Sequence, residues 1–135
     1  MPGVRPIAPG LFTEGSDPRL IAGRCAACAR LHFPAGPVCP YCAADGCTET
    51  PVGARGRLRL YTAVLARPPG YRGDVPYGFG VVEVEDGLCV IARLTEARLD
   101  LLRPDLPVRL VVETLFTDDD GQAVLDYSFR PEVDA

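Results

Sequence analysis

The chain has no lysine and no tryptophan, one histidine (His32), one methionine, and serine only at Ser16 and Ser128. Each scarcity removes a class of chemistry. Without lysine, no Schiff base can form on a side chain. Neither serine stands in a G-x-S-x-G setting, so the usual parts of a nucleophilic enzyme are missing. No uncharged run approaches the roughly 20 residues that span a bilayer. The N-terminus is rich in proline and glycine and lacks a basic-then-apolar leader, so the expected location is the cytoplasm, with no membrane partner. An excess of basic charge is also missing: 14 arginines face 18 acidic residues, a net charge of −4. That balance disfavours generic binding to a nucleic-acid backbone, although it leaves room for a local arginine patch. At 135 residues the chain holds one modest core, or a small metal-stapled module joined to a small barrel.

What is present begins with cysteine. "GRCAACARLHFPAGPVCPYC", Gly23 to Cys42, places four of the six cysteines in two pairs of equal spacing, Cys25-x-x-Cys28 and Cys39-x-x-Cys42. In a reducing compartment such pairs are more often metal ligands than disulfides. Two thiolates two residues apart bite one tetrahedral metal, and a second knuckle closes the shell. Four thiolates leave no position for water or substrate, so the metal is expected to be structural. Zinc is the default and iron the alternative, since tetrahedral sulfur sites take either; coincidental free cysteines or a redox pair are the remaining readings. Knuckles of this kind usually place glycine after the second cysteine, where the backbone is left-handed, but here Ala29 and Ala43 stand there. Cys47 is read as a bystander, with exchange for a ligand as the alternative. His32, in the return loop beside Phe33, is read as a packing residue rather than a base or ligand.

Beyond about residue 53 the pattern is that of strands. "GRLRLYTAV" alternates, with Leu58, Leu60, Thr62 and Val64 on one face and Arg57, Arg59 and Tyr61 on the other. "FGVVEVEDGLCVIARL" reads as a hairpin on a two-residue Asp86-Gly87 turn. That register opposes Val84 to Cys89 and Val82 to Ile91, and predicts Cys89 to be a buried small hydrophobe. "PVRLVVETL" and "QAVLDYSF" supply two more strands, joined by an acidic turn at Asp118–Gly121 that lacks the ligand alternation of a calcium loop. A short helix capped by Thr95 is predicted over "TEARLDLL", with Leu99 and Leu102 on one face. Residues 1–19 read as an extended arm with one helical turn near Leu11–Glu14. The predicted architecture is mainly β: an arm (1–19), a rubredoxin-like zinc ribbon (20–50) and a five-stranded OB-fold barrel (51–135), with an SH3-like barrel as the nearest competitor.

The loop "ARPPGYRGDVPYGFG", residues 66–80, joins the first two barrel strands and carries three prolines, two tyrosines and two arginines. Proline limits its unfolded freedom, so aromatic and guanidinium groups are displayed at low ordering cost. Arg67, Tyr71, Arg72, Tyr77 and Phe79 are the candidate contacts to a partner or substrate, with covering of the barrel mouth as the plainer alternative.

"LIAGRCAACARLHFPAGPVCPYC", "GARGRLRLYTAV", "PPGYRGDVPYGFGVVEVEDGL" and a closing "FRP", in that order, resemble the acyl-CoA-associated zinc-ribbon and OB-fold family, also called domain of unknown function 35. The resemblance covers almost the whole chain. It implies a noncatalytic partner of thiolase-like enzymes, including thiolases, acyltransferases and lipid-transfer-type aldolases, that supports its partner and can shelter an acyl-CoA intermediate. By motif, Cys25, Cys28, Cys39 and Cys42 match the family's zinc ligands. The chain departs from the family pattern at Ala29 and Ala43, and at "RPDLPV", where a glycine-containing turn is usual. An OB-fold nucleic-acid-binding module and a rubredoxin-like electron carrier are the alternative functions.

Overall fold

A computed structural model describes residues 3–132, the side chain of Asp86 excepted. Its strands are β1 (Val4–Pro6), β2 (Ile21–Arg24), β3 (Leu31–His32), β4 (Thr48–Pro51), β5 (Arg55–Val64), β6 (Tyr77–Glu83), β7 (Cys89–Leu94), β8 (Pro107–Thr117) and β9 (Ala123–Pro131). Strands β2–β4 make a small antiparallel sheet in the order β3-β2-β4. Strands β5–β9 close on themselves in the order β5-β6-β7-β9-β8, with β8 returning to β5. All these barrel pairings are antiparallel except β7 with β9. That closed order with one parallel pair is the OB arrangement, and it separates the fold from the SH3-like alternative, which strand count could not do.

The core is one buried cluster. Leu58, Val82, Val90, Leu94, Val108, Leu110 and Phe129 fill the barrel, and Leu20, Ala22 and Leu31 of the ribbon lie in the same cluster. Phe33 of the ribbon meets Tyr127 of β9 edge to face at 5.6 Å. Burial of this shared apolar surface, at roughly 25 cal/mol per Å², joins the two modules.

Four local expectations fail, each for a physical reason. The alternation of β5 does not run through: its register to β6 shifts between Leu58 and Leu60. A bulge adds one residue and turns the following side chains over. Leu58 is therefore buried, whereas Leu60 is 68% exposed and Tyr61 packs on the core. Gly80 makes the bulge possible, because a Cβ there would run into the Leu60 carbonyl.

The β6–β7 connection is longer than a two-residue turn. Glu85–Gly87 form a single 3-10 turn, Val84 and Leu88 close it, and Glu83 opposes Cys89 while Val82 opposes Val90. This one-residue slip exchanges the faces. Cys89 is exposed rather than buried, and Ile91 is 61% exposed. The slip follows from Leu88, which the core takes in together with Val84.

"TEARLDLL" holds one 3-10 turn, Leu99–Leu101, and no longer helix. The backbone is extended at Arg98, and the Arg98 N–H is taken by the Glu96 carboxylate rather than by a Thr95 cap. Leu102 is buried but Leu99 is exposed. The arm likewise forms no helical turn at Leu11–Glu14. Phe12 enters the core and bridges Leu20, while β1 pairs in parallel with β9.

Candidate functional site

The two cysteine knuckles are built alike. Cys25 N–H donates to the Arg30 carbonyl and Ala29 N–H to the Cys25 carbonyl; Cys39 N–H donates to the Ala44 carbonyl and Ala43 N–H to the Cys39 carbonyl. Each turn needs a left-handed residue after its second cysteine, and Ala29 (φ 65°) and Ala43 (φ 66°) take that conformation. Backbone N–H groups of Cys28 and Tyr41 point at the sulfurs of Cys25 and Cys39, both at 3.4 Å.

The sulfurs of Cys25, Cys28, Cys39 and Cys42 all lie within 4.8 Å of one another. The Cys25–Cys42 and Cys28–Cys39 pairs are 3.5 and 3.7 Å apart. Four sulfurs at ~2.3 Å from one tetrahedral ion stand about 3.8 Å apart, so the donor set fits a metal ion. The Cys28 N–H holds the Cys25 thiol down, to about 6, against the opposing effect of burial. At Cys42 the Ala44 N–H pulls the thiol down, but the neighbouring Cys25 sulfur and burial push it up to about 12, so with no cation present the four sulfurs do not all ionise together; the thiolate is the form that ligates. Cys47 stands outside the group, and burial pushes its thiol up.

His32 is buried on β3 opposite Gly23 of β2. Its Nε2 lies 3.1 Å from the Gly36 nitrogen and 3.2 Å from the Gly36 carbonyl oxygen, accepting from the one or donating to the other according to the tautomer. Nδ1 has no hydrogen-bond partner among the described residues. A Cβ on Gly23 would overlap the imidazole, so glycine there lets the ring approach the strand closely. The acidic turn is a hairpin closure: Asp118 accepts from Arg5 at 2.9 Å and from the backbone N–H groups of Asp120 and Gln122.

In the 66–80 loop, Arg67 donates to the carbonyls of Gly73 and Tyr71, so its guanidinium braces the loop from inside. Tyr71 and Tyr77 stack with ring centres 4.7 Å apart. Arg72 lies over the Phe116 ring at 4.6 Å and reaches Asp119 at 3.4 Å. Phe79, on β6 opposite Arg93, is partly exposed. The five residues thus sit along one side of the barrel, while the cysteine centre is a separate site.

Arg93 escaped the sequence reading. Its guanidinium reaches Ser128 Oγ at 3.0 Å and Tyr71 Oη at 3.4 Å, and its Nε lies 3.9 Å from Asp126. Burial pushes the Asp126 carboxyl up. The available signal was an arginine inside the otherwise apolar strand "CVIARL".

A family model described as ChsH2, rubredoxin-like zinc ribbon domain, matches residues 12–46, and one described as ChsH2, C-terminal OB-fold domain, matches residues 49–113. A DUF35 domain-containing scaffold protein of Pyrococcus furiosus is 32% identical over 116 residues, 85% of this chain and 85% of that protein. The benzoylsuccinyl-CoA thiolase subunit BbsA of Thauera aromatica is 31% identical over 117 residues, 87% of this chain and 79% of the subunit. Among solved structures, the Ltp2-ChsH2(DUF35) aldolase superposes with a TM-score of 0.67 at 28% identity, covering 85% of this chain and 86% of that one.

Proposed function

Because the chain belongs to the ChsH2 family of zinc-ribbon and OB-fold proteins, we propose that it is a noncatalytic accessory subunit of a thiolase-like enzyme acting on acyl-CoA. The observation that carries this reading is the match to the thiolase subunit BbsA, which runs through both modules and covers 79% of that subunit. The chemistry of the cysteine centre supports it. A metal held by Cys25, Cys28, Cys39 and Cys42 has its tetrahedral shell filled by protein, which suits a fastening role and not catalysis. The metal is zinc, and the protein works in the cytoplasm.

The 66–80 loop faces the partner, near the path of the acyl-CoA. Tyr71, Tyr77 and Phe79 supply rigid aromatic surface, Arg72 an accessible guanidinium, and Arg67 the bracing that sets the loop's shape. Co-purification from the native host tests the main reading: a thiolase-fold enzyme is expected in the captured complex, with acyl-CoA turnover by that enzyme depending on this chain. Capture without any thiolase-like protein defeats it. Arg67→Ala with Arg72→Ala is expected to weaken the complex or its turnover; no change in either removes the loop from the interface. Metal analysis decides zinc, and a red, redox-active iron centre would overturn that assignment.

A further inference from the structure

Eight arginines lie on strands: Arg5, Arg24, Arg55, Arg57, Arg59, Arg93, Arg109 and Arg130. Most are committed within the chain. Arg5 pairs with Asp118, Arg55 with Glu132, Arg59 with Glu83 and Asp105, and Arg93 with Ser128 and Asp126. Arg24 and Arg57 donate to the Ala29 and Asp105 carbonyls. Arg109 and Arg130 have no ion pair or side-chain hydrogen bond among the described residues.

These two are also directly opposed. Arg109 of β8 faces Arg130 of β9, and Arg55 of β5 faces Arg109 on the other side. Neighbouring strands are ~4.7–5.5 Å apart, so three guanidinium stems stand in one row on the outside of the barrel, their inward neighbours Leu110 and Phe129 being buried. Like charges directly opposite each other destabilise a sheet. In a chain of net charge −4, with acids paired to Arg5, Arg55, Arg59 and Arg93 on the other strands, an unneutralised pair is a feature that an anion would relieve. Beside the row is a concavity of about 340 Å³, walled by Ser16, Asp17 and Pro18 of the arm and by Arg109, Val111 and Arg130. Asp17 is the one acid in that wall, and it makes no ion pair with either arginine.

We propose that Arg109 and Arg130, with Arg55 at the end of the row, form a subsite for a phosphate-bearing ligand carrying two or more negative charges. A planar guanidinium presents paired N–H groups that match phosphate oxygens, and two of them side by side match a diphosphate better than a single carboxylate. The concave wall suits a small ligand rather than a flat protein surface.

The test titrates the metal-loaded chain with inorganic pyrophosphate by calorimetry at low ionic strength, with metal retention checked throughout. Saturable binding is expected, and Arg109→Gln with Arg130→Gln should weaken it by about tenfold or more. Arg98→Gln, which removes an exposed pair to Asp100, should leave it unchanged. If the double variant folds poorly, Arg130→Gln alone, at an exposed position, should still weaken binding and reduce its salt dependence. Competition by CoA would mark a nucleotide-borne phosphate; binding of pyrophosphate that CoA does not displace would mark a free one. Only the CoA arm leans on the acyl-CoA reading above, so the two can fail separately. Absence of saturable pyrophosphate binding, or equal affinity in the double variant, overturns the subsite. Loss of partner capture in that variant without any pyrophosphate binding would instead assign the row to an acidic protein surface.

Discussion

At Ala29 and Ala43 an L-residue with a Cβ occupies the left-handed region, which costs roughly 1–2 kcal/mol per residue. Glycine would remove that strain and return part of the gain through a freer unfolded chain. Ala29→Gly and Ala43→Gly should therefore each stabilise the metal-loaded protein by roughly 0.5–1 kcal/mol, read as a higher denaturation midpoint; a lower midpoint for both would mean that the knuckles carry no such strain. Asp105 (φ 65°) is the third non-glycine residue with positive φ among those described. It stands in "RPDLPV", where the family pattern has a glycine-containing turn, and an aspartate tolerates the conformation better than alanine does. Ala29 and Ala43 were legible in the sequence as missing glycines, because backbone geometry at a tight turn follows local chemistry, whereas for Asp105 the sequence marked only the segment and not the residue. The exposure of Cys89 was not legible, since it depends on which face the core selects. A thiol reagent should modify Cys89 rapidly in the folded, metal-loaded chain while Cys25 and Cys39, both buried, stay protected. Protection of Cys89 would contradict the β6–β7 register.

At the scale of elements, the strands were readable from alternation and the breaks in alternation were not. Leu58 and Leu60 are chemically identical, so nothing in "RLRLY" says that a bulge will bury one and expose the other; the cause lies across the sheet at Gly80. Gly80→Ala should accordingly cost about 2–3 kcal/mol, the scale of forced overpacking, in a urea titration. Gly36→Ala, where a Cβ meets nothing within 4 Å, should cost far less, and equal effects would argue against the close approach. The short arm strand β1 is pinned by Arg5 to Asp118 at the β8–β9 turn. The Arg5 hydrogen bond, helped by the Gln122 N–H, holds the Asp118 carboxyl below its ordinary value. A group lowered on folding stabilises above its unfolded pKa of ~3.9 and loses that contribution as pH falls through the lower folded value. Below roughly pH 4, the wild type should therefore lose stability more steeply than Asp118→Asn. Comparing the two also subtracts the acid release of metal from the thiolates, which both share. Parallel curves would show that the pair is idle.

At the scale of the molecule, the question is whether ribbon and barrel unfold as one body. The sequence divides them cleanly by composition, cysteine on one side and alternating strands on the other, and that division hides their shared burial. Leu20, Ala22 and Leu31 belong to the same buried cluster as Val84, Leu88 and Val90, and Val52 in the connection is fully buried with its N–H on the Leu20 carbonyl. Neither module can bury these side chains alone. Metal binding is therefore coupled to the barrel, since a metal that forms only in the folded ribbon contributes its binding energy to folding. Chelation should lower a single calorimetric transition by more than about 10 °C, because several kcal/mol are withdrawn and each shifts a chain of this size by roughly 3–6 °C. The apo chain should lose its near-UV aromatic signal from Phe33 and Tyr127, which meet across the two modules, at the same temperature as its strand signal. Two separated transitions, with the barrel holding its midpoint after metal removal, would mean that the ribbon is an appendage and that the shared cluster does not couple them.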